Sequence, residues 1–221
     1  MYAHIQSPFT IPFGTTQHAA PEKMNAELRS LFLERERQGV QFANPRATMQ
    51  INAGLYESRF DLFRWTEPCI RELREYCWGQ LFQFVAEVSG YNQDFMSRVR
   101  GHADAWFHIT RRGGYFGLHN HPMASWSGVY CVDPGIGDGG RKDSGLLSFP
   151  HPNSASAMFK DVANHALKLP YSYATREYQL RAGQLVIFPS WLMHQVTPFH
   201  GDGERITVAF NAWFQMDAPL P

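Results

Sequence analysis

The chain has 221 residues, of which 20 are basic and 20 acidic, so its formal net charge is zero and no overall field favours nucleic acid or an anionic membrane. Its three cysteines, Cys69, Cys77 and Cys131, form no Cys-x-x-Cys pair, which favours buried thiols in a reducing compartment over a disulfide framework. The N-terminus has no basic leader and no window offers about 20 apolar residues, so we expect a cytoplasmic protein with no membrane partner.

Two amphipathic helices are predicted in the N-terminal part of the chain. The first, PEKMNAELRSLFLERERQ, has Pro21 where a first helical turn tolerates proline. The second, TEPCIRELREYCWGQLFQFVAEVSG, has Thr66 as a candidate cap and ends at Gly90. The apolar stripes are Met24, Leu28, Leu31 and Phe32 in the first helix and Ile70, Leu73, Cys77, Leu81, Phe84 and Val88 in the second. Stripes at this spacing are usually core faces, so both helices are interpreted as structural support.

Beyond about residue 98 the pattern changes to short segments rich in aromatic and β-branched residues, which predicts a β-sandwich or barrel. The predicted strands are HADAWFHIT, ASWSGVYCV, GLLSF, EYQL, GQLVIF and RITVAFNAWF. One short helix, SASAMFKDVANHA, is predicted between them, capped by Asn153 or Ser154. We expect a single domain over 1–221, with N-terminal helical support in 1–97 and a β core in 98–214.

Three histidines form a candidate metal site. His119 and His121 stand one residue apart in GLHNHP, and on a strand both side chains would share one face. His194, in WLMHQV, follows a strand and a turn that contains proline. A close pair with a distant third ligand covers one side of an ion and leaves the other open, and imidazole ligands favour Fe(II). Each histidine alone could equally be a packed core residue, but the combination favours a metal.

Arg205 begins the strand ERITVAFN eleven residues after His194, and alternation places Thr207 on the same face. A guanidinium that points into a barrel is costly unless an anion meets it, and carboxylates bind arginine through two parallel hydrogen bonds. This pair therefore predicts a site for a dicarboxylate. A surface ion pair is the alternative for Arg205 alone.

The order of the His-x-His pair, SGVYCV, GQLVIFPSWLMHQVTPF and ERITVAFN resembles the 2-oxoglutarate/Fe(II)-dependent oxygenases of the prolyl-hydroxylase-like superfamily, over roughly residues 100–214. The resemblance implies a mainly β double-stranded β-helix, or jelly roll, with supporting N-terminal helices. It implies a dioxygenase that uses Fe(II) and 2-oxoglutarate to hydroxylate an unidentified substrate, with His119 as first ligand and His194 as last. Arg205 and Thr207 would then anchor the distal carboxylate of 2-oxoglutarate.

The chain departs from the family pattern at His121, where a carboxylate is usual. We interpret the histidine pair as a variant of His-x-Asp, with His121 as the second ligand. Asp133 is the alternative carboxylate, but its Asp-Pro-Gly context is typical of a turn.

His108 and Tyr115 are candidates for the co-substrate side of the site, with core packing as the alternative for each. The expected substrate is a small molecule or a peptide, and the assembly is left open between a monomer and a homodimer. Two other functions stay open: a three-histidine iron dioxygenase that does not use 2-oxoglutarate, and a metal-binding barrel without turnover.

Overall fold

Ten strands and three helices make up the fold, in a computed structural model that describes residues 4–46, 54–137, 140–153 and 159–216. The helices are α1 (Glu22–Arg37), α2 (Pro68–Ser89) and α3 (Gln93–Ser97), with 3₁₀ turns at Gly39–Gln41 and Leu62–Arg64. The strands are β1 (Gly14–Gln17), β2 (Leu55–Glu57), β3 (Val99–Thr110), β4 (Phe116–His119), β5 (Trp126–Asp133), β6 (Leu147–Phe149), β7 (Arg176–Tyr178), β8 (Gln184–Pro189), β9 (His194–Val196) and β10 (Arg205–Met216).

The strands form two antiparallel sheets. The major sheet has six strands in the order β1-β8-β5-β10-β3-β2, and the minor sheet has four in the order β4-β9-β6-β7. Strand β10 is central in the major sheet and pairs with β3 over twelve residues. The architecture is the jelly roll of the double-stranded β-helix, and it confirms the predicted mainly β fold.

The helices cover the outer face of the major sheet. Alternate residues of β3, among them Phe107 and Ile109, are fully buried against them, and Phe32 of α1 stacks on Phe107 with ring centroids 4.1 Å apart. Burial of such a side chain stabilises the fold by about 1.5–3 kcal/mol. The helices therefore hold one side of β3 rigid, and the other side of this strand faces the barrel interior. None of the described helices has the length and hydropathy that a membrane span requires.

The predicted helices are confirmed in position but differ in detail. Helix α2 ends at Gly90, whose φ of 68° is the left-handed conformation that glycine favours. The predicted cap Thr66 was wrong: Glu67 occupies the N-cap position, and Pro68 supplies the preorganised first turn. The buried face of α2 includes Val85, whereas the predicted Val88 is 43% exposed.

Other corrections concern the segments between the helices and the strands. The N-terminal part adds two edge strands to the major sheet, β1 and β2, which are too short to show an alternating pattern in sequence. The short helix predicted over SASAMFKDVANHA was wrong for 159–166, which forms turns, and 154–158 lies outside the described residues. The three cysteines are buried and free, as predicted.

Candidate metal centre

The three predicted histidines meet at one point in the barrel. One ring nitrogen from each of His119, His121 and His194 lies within 4.8 Å of the others. The ring centroids are 4.2 Å apart for His119 and His194, 4.9 Å for His119 and His121, and 5.3 Å for His121 and His194. His194 is 4% exposed and the other two are half-buried. The described residues contain no other group of three or more histidine, cysteine or acidic side chains arranged in this way.

Backbone pairing brings His119 and His194 together. His119 ends β4 and lies directly opposite His194, the first residue of β9, in the minor sheet. The third histidine is thus on the neighbouring strand, not on the far side of the barrel. His121 lies beyond the end of β4, so the shared-strand argument for it was wrong. A turn directs His121 inward: its N–H donates to the carbonyl of Ser190 at 2.8 Å, and its carbonyl accepts from Ala124 at 3.0 Å.

Two of the imidazoles are held in a single tautomer. The Nδ1 of His119 lies 2.8 Å from the carbonyl of Gly117, and the Nδ1 of His194 lies 2.9 Å from the carbonyl of Leu192. A carbonyl only accepts, so each Nδ1 carries the proton and donates it. The lone pair is then on Nε2 in both rings, free to bind a metal.

Burial favours the neutral form of all three imidazoles. Burial lowers the pKa of His119, and burial together with the nearby His119 lowers the pKa of His121 to about 4. Burial lowers the pKa of His194 to about 3, and the charge of His119 acts in the same direction. Metals bind the deprotonated nitrogen, so these rings compete little with protons at neutral pH.

The donor set fits a first-row transition metal such as Fe(II), for which imidazole is a preferred ligand. Asp133, the alternative carboxylate, is occupied elsewhere: one oxygen accepts from Arg29 Nε at 3.0 Å and the other from the backbone N–H of Gly135 at 2.9 Å. It is the turn residue that its sequence context predicts.

The inner face of the major sheet is layered beside the cluster. Arg205 lies opposite Thr110, Thr207 opposite His108, and Ala209 opposite Trp106. Each two-residue step along β10 spans about 7 Å. Trp106, His108, Thr207 and Ala209 line the cavity that also contains the three histidines. Arg205 therefore lies on the same face of β10 as Thr207, one two-residue step closer to the start of the strand.

Arg205 is a buried cation without a partner. It is 2% exposed, its Nη2 has no hydrogen-bond partner, and it forms no ion pair with any described residue. Burial lowers the pKa of this guanidinium. Gly145, at φ 62°, lets a loop lie against its stem, because a Cβ there would come 3.0 Å from Arg205 Cδ. A buried guanidinium with an open donor is an anion-binding group.

The other two predicted site residues differ in placement. His108 lines the cavity, and its Nε2 lies 3.0 Å from Glu57 Oε2 and 3.2 Å from Trp106 Nε1. Tyr115 is 40% exposed and does not line this cavity.

Sequence reasoning missed a polar row near the histidines. Ser127 Oγ donates to Asn211 Oδ1 at 2.7 Å and contacts Ser190 Oγ at 2.8 Å. Ser127 and Asn211 lie opposite each other on β5 and β10 and line the cavity. Glu57 was missed as well. The alternation along β10 places Asn211 on the face of Arg205 and Thr207 but gives it no role, whereas no sequence pattern marked Glu57.

Residues 104–211 match the sequence model of a family described as "Putative 2OG-Fe(II) oxygenase". This stretch contains all three histidines, Arg205 and Thr207. No curated protein matches the chain by sequence.

Solved structures share the fold at low sequence identity. A Pseudomonas putida prolyl-4-hydroxylase is 19% identical with a TM-score of 0.58, and the alignment covers 95% of each chain. A Trichoplax adhaerens prolyl hydroxylase, in complex with a hypoxia inducible factor peptide, is 12% identical with a TM-score of 0.58, covering 92% of this chain and 84% of that one. HygX from Streptomyces hygroscopicus, with nickel, 2-oxoglutarate and hygromycin B bound, is 12% identical with a TM-score of 0.53, covering 92% and 83%. The family match over residues 104–211, the fold and the three histidines together make this chain similar to the 2-oxoglutarate/Fe(II)-dependent oxygenases.

Proposed function

We propose that the protein oxidises a small-molecule or peptide substrate with Fe(II) held by His119, His121 and His194 and with 2-oxoglutarate anchored by Arg205. The observation that carries this proposal is the pairing of a neutral three-histidine cluster with a buried, unpartnered guanidinium in one barrel. When bound, the iron would couple decarboxylation of 2-oxoglutarate by O₂ to oxidation of the second substrate.

The histidines would hold the metal through fixed nitrogens. His119 and His194 offer Nε2, because the carbonyls of Gly117 and Leu192 hold the proton on Nδ1. His121 approaches from the turn after β4, which its backbone contact with Ser190 keeps in place. Three ligands on one side of an ion leave the side toward the cavity open for co-substrate and O₂.

Arg205 and Thr207 would bind the distal carboxylate of 2-oxoglutarate. Thr207 is 3% exposed and its side chain lies between the level of Arg205 and that of Trp106. Two parallel bonds from the guanidinium and one from the hydroxyl would satisfy a carboxylate there, and the keto-acid end would point toward the histidines. His108, opposite Thr207, would flank the chain of the co-substrate. Tyr115 stays a prediction, and from its exposed position it would act at the rim of the site.

The substrate would enter on the side of the polar row. Ala209 lies opposite Trp106, at the level of the histidine cluster. Along β10, Arg205 lies on one side of this level, and Asn211, which is paired with Ser127, lies on the other. Side chains that could meet a substrate outside include Trp191 and Met123, which are 50% and 83% exposed. Asn120 Nδ2 donates to the carbonyl of Trp191 at 3.0 Å and ties the two loops together. The neighbouring structures with a hypoxia inducible factor peptide and with hygromycin B bound support both substrate classes.

An anaerobic titration tests the proposal. The protein is loaded with Fe(II), 2-oxoglutarate is added, and a visible charge-transfer band is followed, with CO₂ release measured after O₂ is admitted. We expect the band and slow CO₂ release without any second substrate. Iron binding without either signal would favour a three-histidine dioxygenase that does not use 2-oxoglutarate. A tightly bound Zn(II) with no O₂ consumption would favour a metal-binding barrel without turnover.

A further inference from the structure

A second cavity, of about 370 Å³, lies between β7, an edge strand of the minor sheet, and the segment that leads into β1, an edge strand of the major sheet. Pockets that bind small molecules commonly have volumes of roughly 300–1,000 Å³. Among the described residues, none lines both this cavity and that of the metal centre. The two are neighbours, because Phe149 and Leu192 line the second cavity and also contact His194. The Phe149 ring lies 5.8 Å from the His194 ring, and the carbonyl of Leu192 accepts from His194 Nδ1 at 2.9 Å.

Arg176 lines this second cavity, which we call the Arg176 cavity, and has no partner in it. Arg176 lies opposite Phe149 in the β6–β7 pairing, so both side chains are on the interior face of the minor sheet. Its Nη2 is shielded from solvent and has no hydrogen-bond partner, and none of the ion pairs among the described residues includes it. A guanidinium that loses hydration without gaining an acceptor is costly, and a carboxylate can accept two parallel bonds from it. The cavity therefore offers an open donor to an anion.

The charges around the Arg176 cavity also favour an anion. Its described lining contains no aspartate or glutamate. Glu177, the next residue along β7, is exposed on the opposite face of the strand. His151 lines the cavity and is neutral or positive in either protonation state, so it does not oppose a negative ligand. Burial raises the pKa of Tyr178, and the charge of Arg176 acts in the opposite direction, so the phenol near the guanidinium keeps its proton at neutral pH and is a second donor.

Three packed aromatic rings form an apolar floor in the Arg176 cavity. Phe13 stacks on Tyr178 with ring centroids 5.2 Å apart and an interplanar angle of 9°, and Phe149 meets Phe13 edge-on at 4.9 Å. Prolines, whose φ is fixed, supply part of the wall. These are Pro150, Pro152 and Pro170. Rigid apolar surfaces favour an apolar ligand body, because little entropy is lost in ordering the site when the ligand binds.

We infer that the Arg176 cavity binds an amphipathic carboxylate, with its carboxylate on Arg176 and Tyr178 and its apolar body on the rings of Phe13 and Phe149. The guanidinium would donate two parallel hydrogen bonds and the phenol one, which satisfies the carboxylate. This site is distinct from the one proposed for 2-oxoglutarate at Arg205. The inference goes beyond the proposed function and does not depend on the metal.

The test uses 3-phenylpropionate as the probe and 3-phenylpropanamide, which has the same size and no charge, as its matched control. Binding of each to the full chain without metal is measured by ligand-observed NMR titration at pH 7. We expect the wild type to bind the carboxylate in about the millimolar range. The amide should bind at least about tenfold more weakly, because it cannot accept two charge-assisted bonds from a guanidinium.

Three variants place the probe. Arg176→Gln keeps N–H donors but removes the charge, so it should bind the carboxylate at least about tenfold more weakly than the wild type and lose the preference over the amide. Arg181→Gln is the matched control, because Arg181 is exposed and does not line the cavity, and it should keep the wild-type affinities. Arg176→Lys keeps the charge without the planar fork, so it should keep the preference at a lower affinity. This variant and the wild-type comparison decide the matter if Arg176→Gln does not fold.

Two outcomes would overturn the inference. One is a wild type that binds the amide as tightly as the carboxylate. The other is a folded Arg176→Gln that keeps the wild-type preference while Arg205→Met loses it, because the probe would then occupy the site proposed for 2-oxoglutarate. Since the titrations contain no metal, the Arg176 cavity and the proposed iron site can fail independently of each other.

Discussion

Replacing Arg205 by methionine should stabilise the ligand-free protein while abolishing its response to 2-oxoglutarate. Arg205 is 2% exposed and its guanidinium has no anionic partner among the described residues. A buried charge of this kind costs several kcal/mol, and apolar replacement of buried ionic groups often stabilises a protein by about 1–4 kcal/mol. Methionine keeps the unbranched stem that packs near Gly145.

The same substitution should weaken the binding of 2-oxoglutarate. Two charge-assisted hydrogen bonds contribute about 1.5–3 kcal/mol each, so their loss should weaken 2-oxoglutarate binding by about two to four orders of magnitude. In thermal unfolding of a 221-residue chain, each kcal/mol shifts Tm by about 2–4 °C. Ligand-free Arg205→Met should therefore melt about 2 °C or more above the wild type.

The assay is a pair of melting curves for each protein, loaded with Co(II), with and without millimolar 2-oxoglutarate. The wild type should gain Tm with the ligand and Arg205→Met should not. Arg112→Met is the matched control, because Arg112 is 58% exposed and pairs with Asp202 at the surface, so both its Tm and its ligand response should stay near wild type. A variant at position 205 that is less stable than the wild type and still responds fully to 2-oxoglutarate would refute this reasoning.

Three further predictions concern the histidines. His194→Ala should reduce bound iron to well below one per chain by metal analysis, because it removes the most buried ring of the cluster; unchanged occupancy would contradict the site. His121→Ala should lower Fe(II) affinity by about 10- to 100-fold or more, whereas Asp133→Asn, whose carboxylate is bonded to Arg29, should change it little; the reverse pattern would exclude His121 as a ligand. The metal-free protein should lose stability as the pH falls from about 6.5 toward 4, because unfolded histidine binds protons there while burial keeps the pKa of His121 at about 4 and that of His194 at about 3. Each pKa unit of separation corresponds to about 1.4 kcal/mol; urea midpoints that are equal at pH 7 and pH 5 would contradict this.

The local sequence was sufficient to predict the longer helices and strands. Helices α1 and α2 and the strands β3, β5, β8 and β10 each extend over at least six residues, and each was predicted within a few residues of its bounds. Arg205 and Thr207 share a face because alternation along a twelve-residue strand leaves no other arrangement. The identity of the candidate ligands also followed from sequence, since imidazoles at these spacings have few other uses in combination.

Only the tertiary structure decided which of these groups meet, and by what route. His119 and His194 are 75 residues apart in sequence, and the register between β4 and β9 places them side by side. His121 reaches the cluster through a turn held by Ser190, a contact that no period predicts. Glu57 comes from a three-residue edge strand, too short to show alternation, and its burial against His108 depends on long-range pairing with β3. Periodicity is a local property of the chain, whereas the partner of a strand is chosen by the packing of the whole sheet, so the sequence determined the candidate ligands and the fold determined their surroundings.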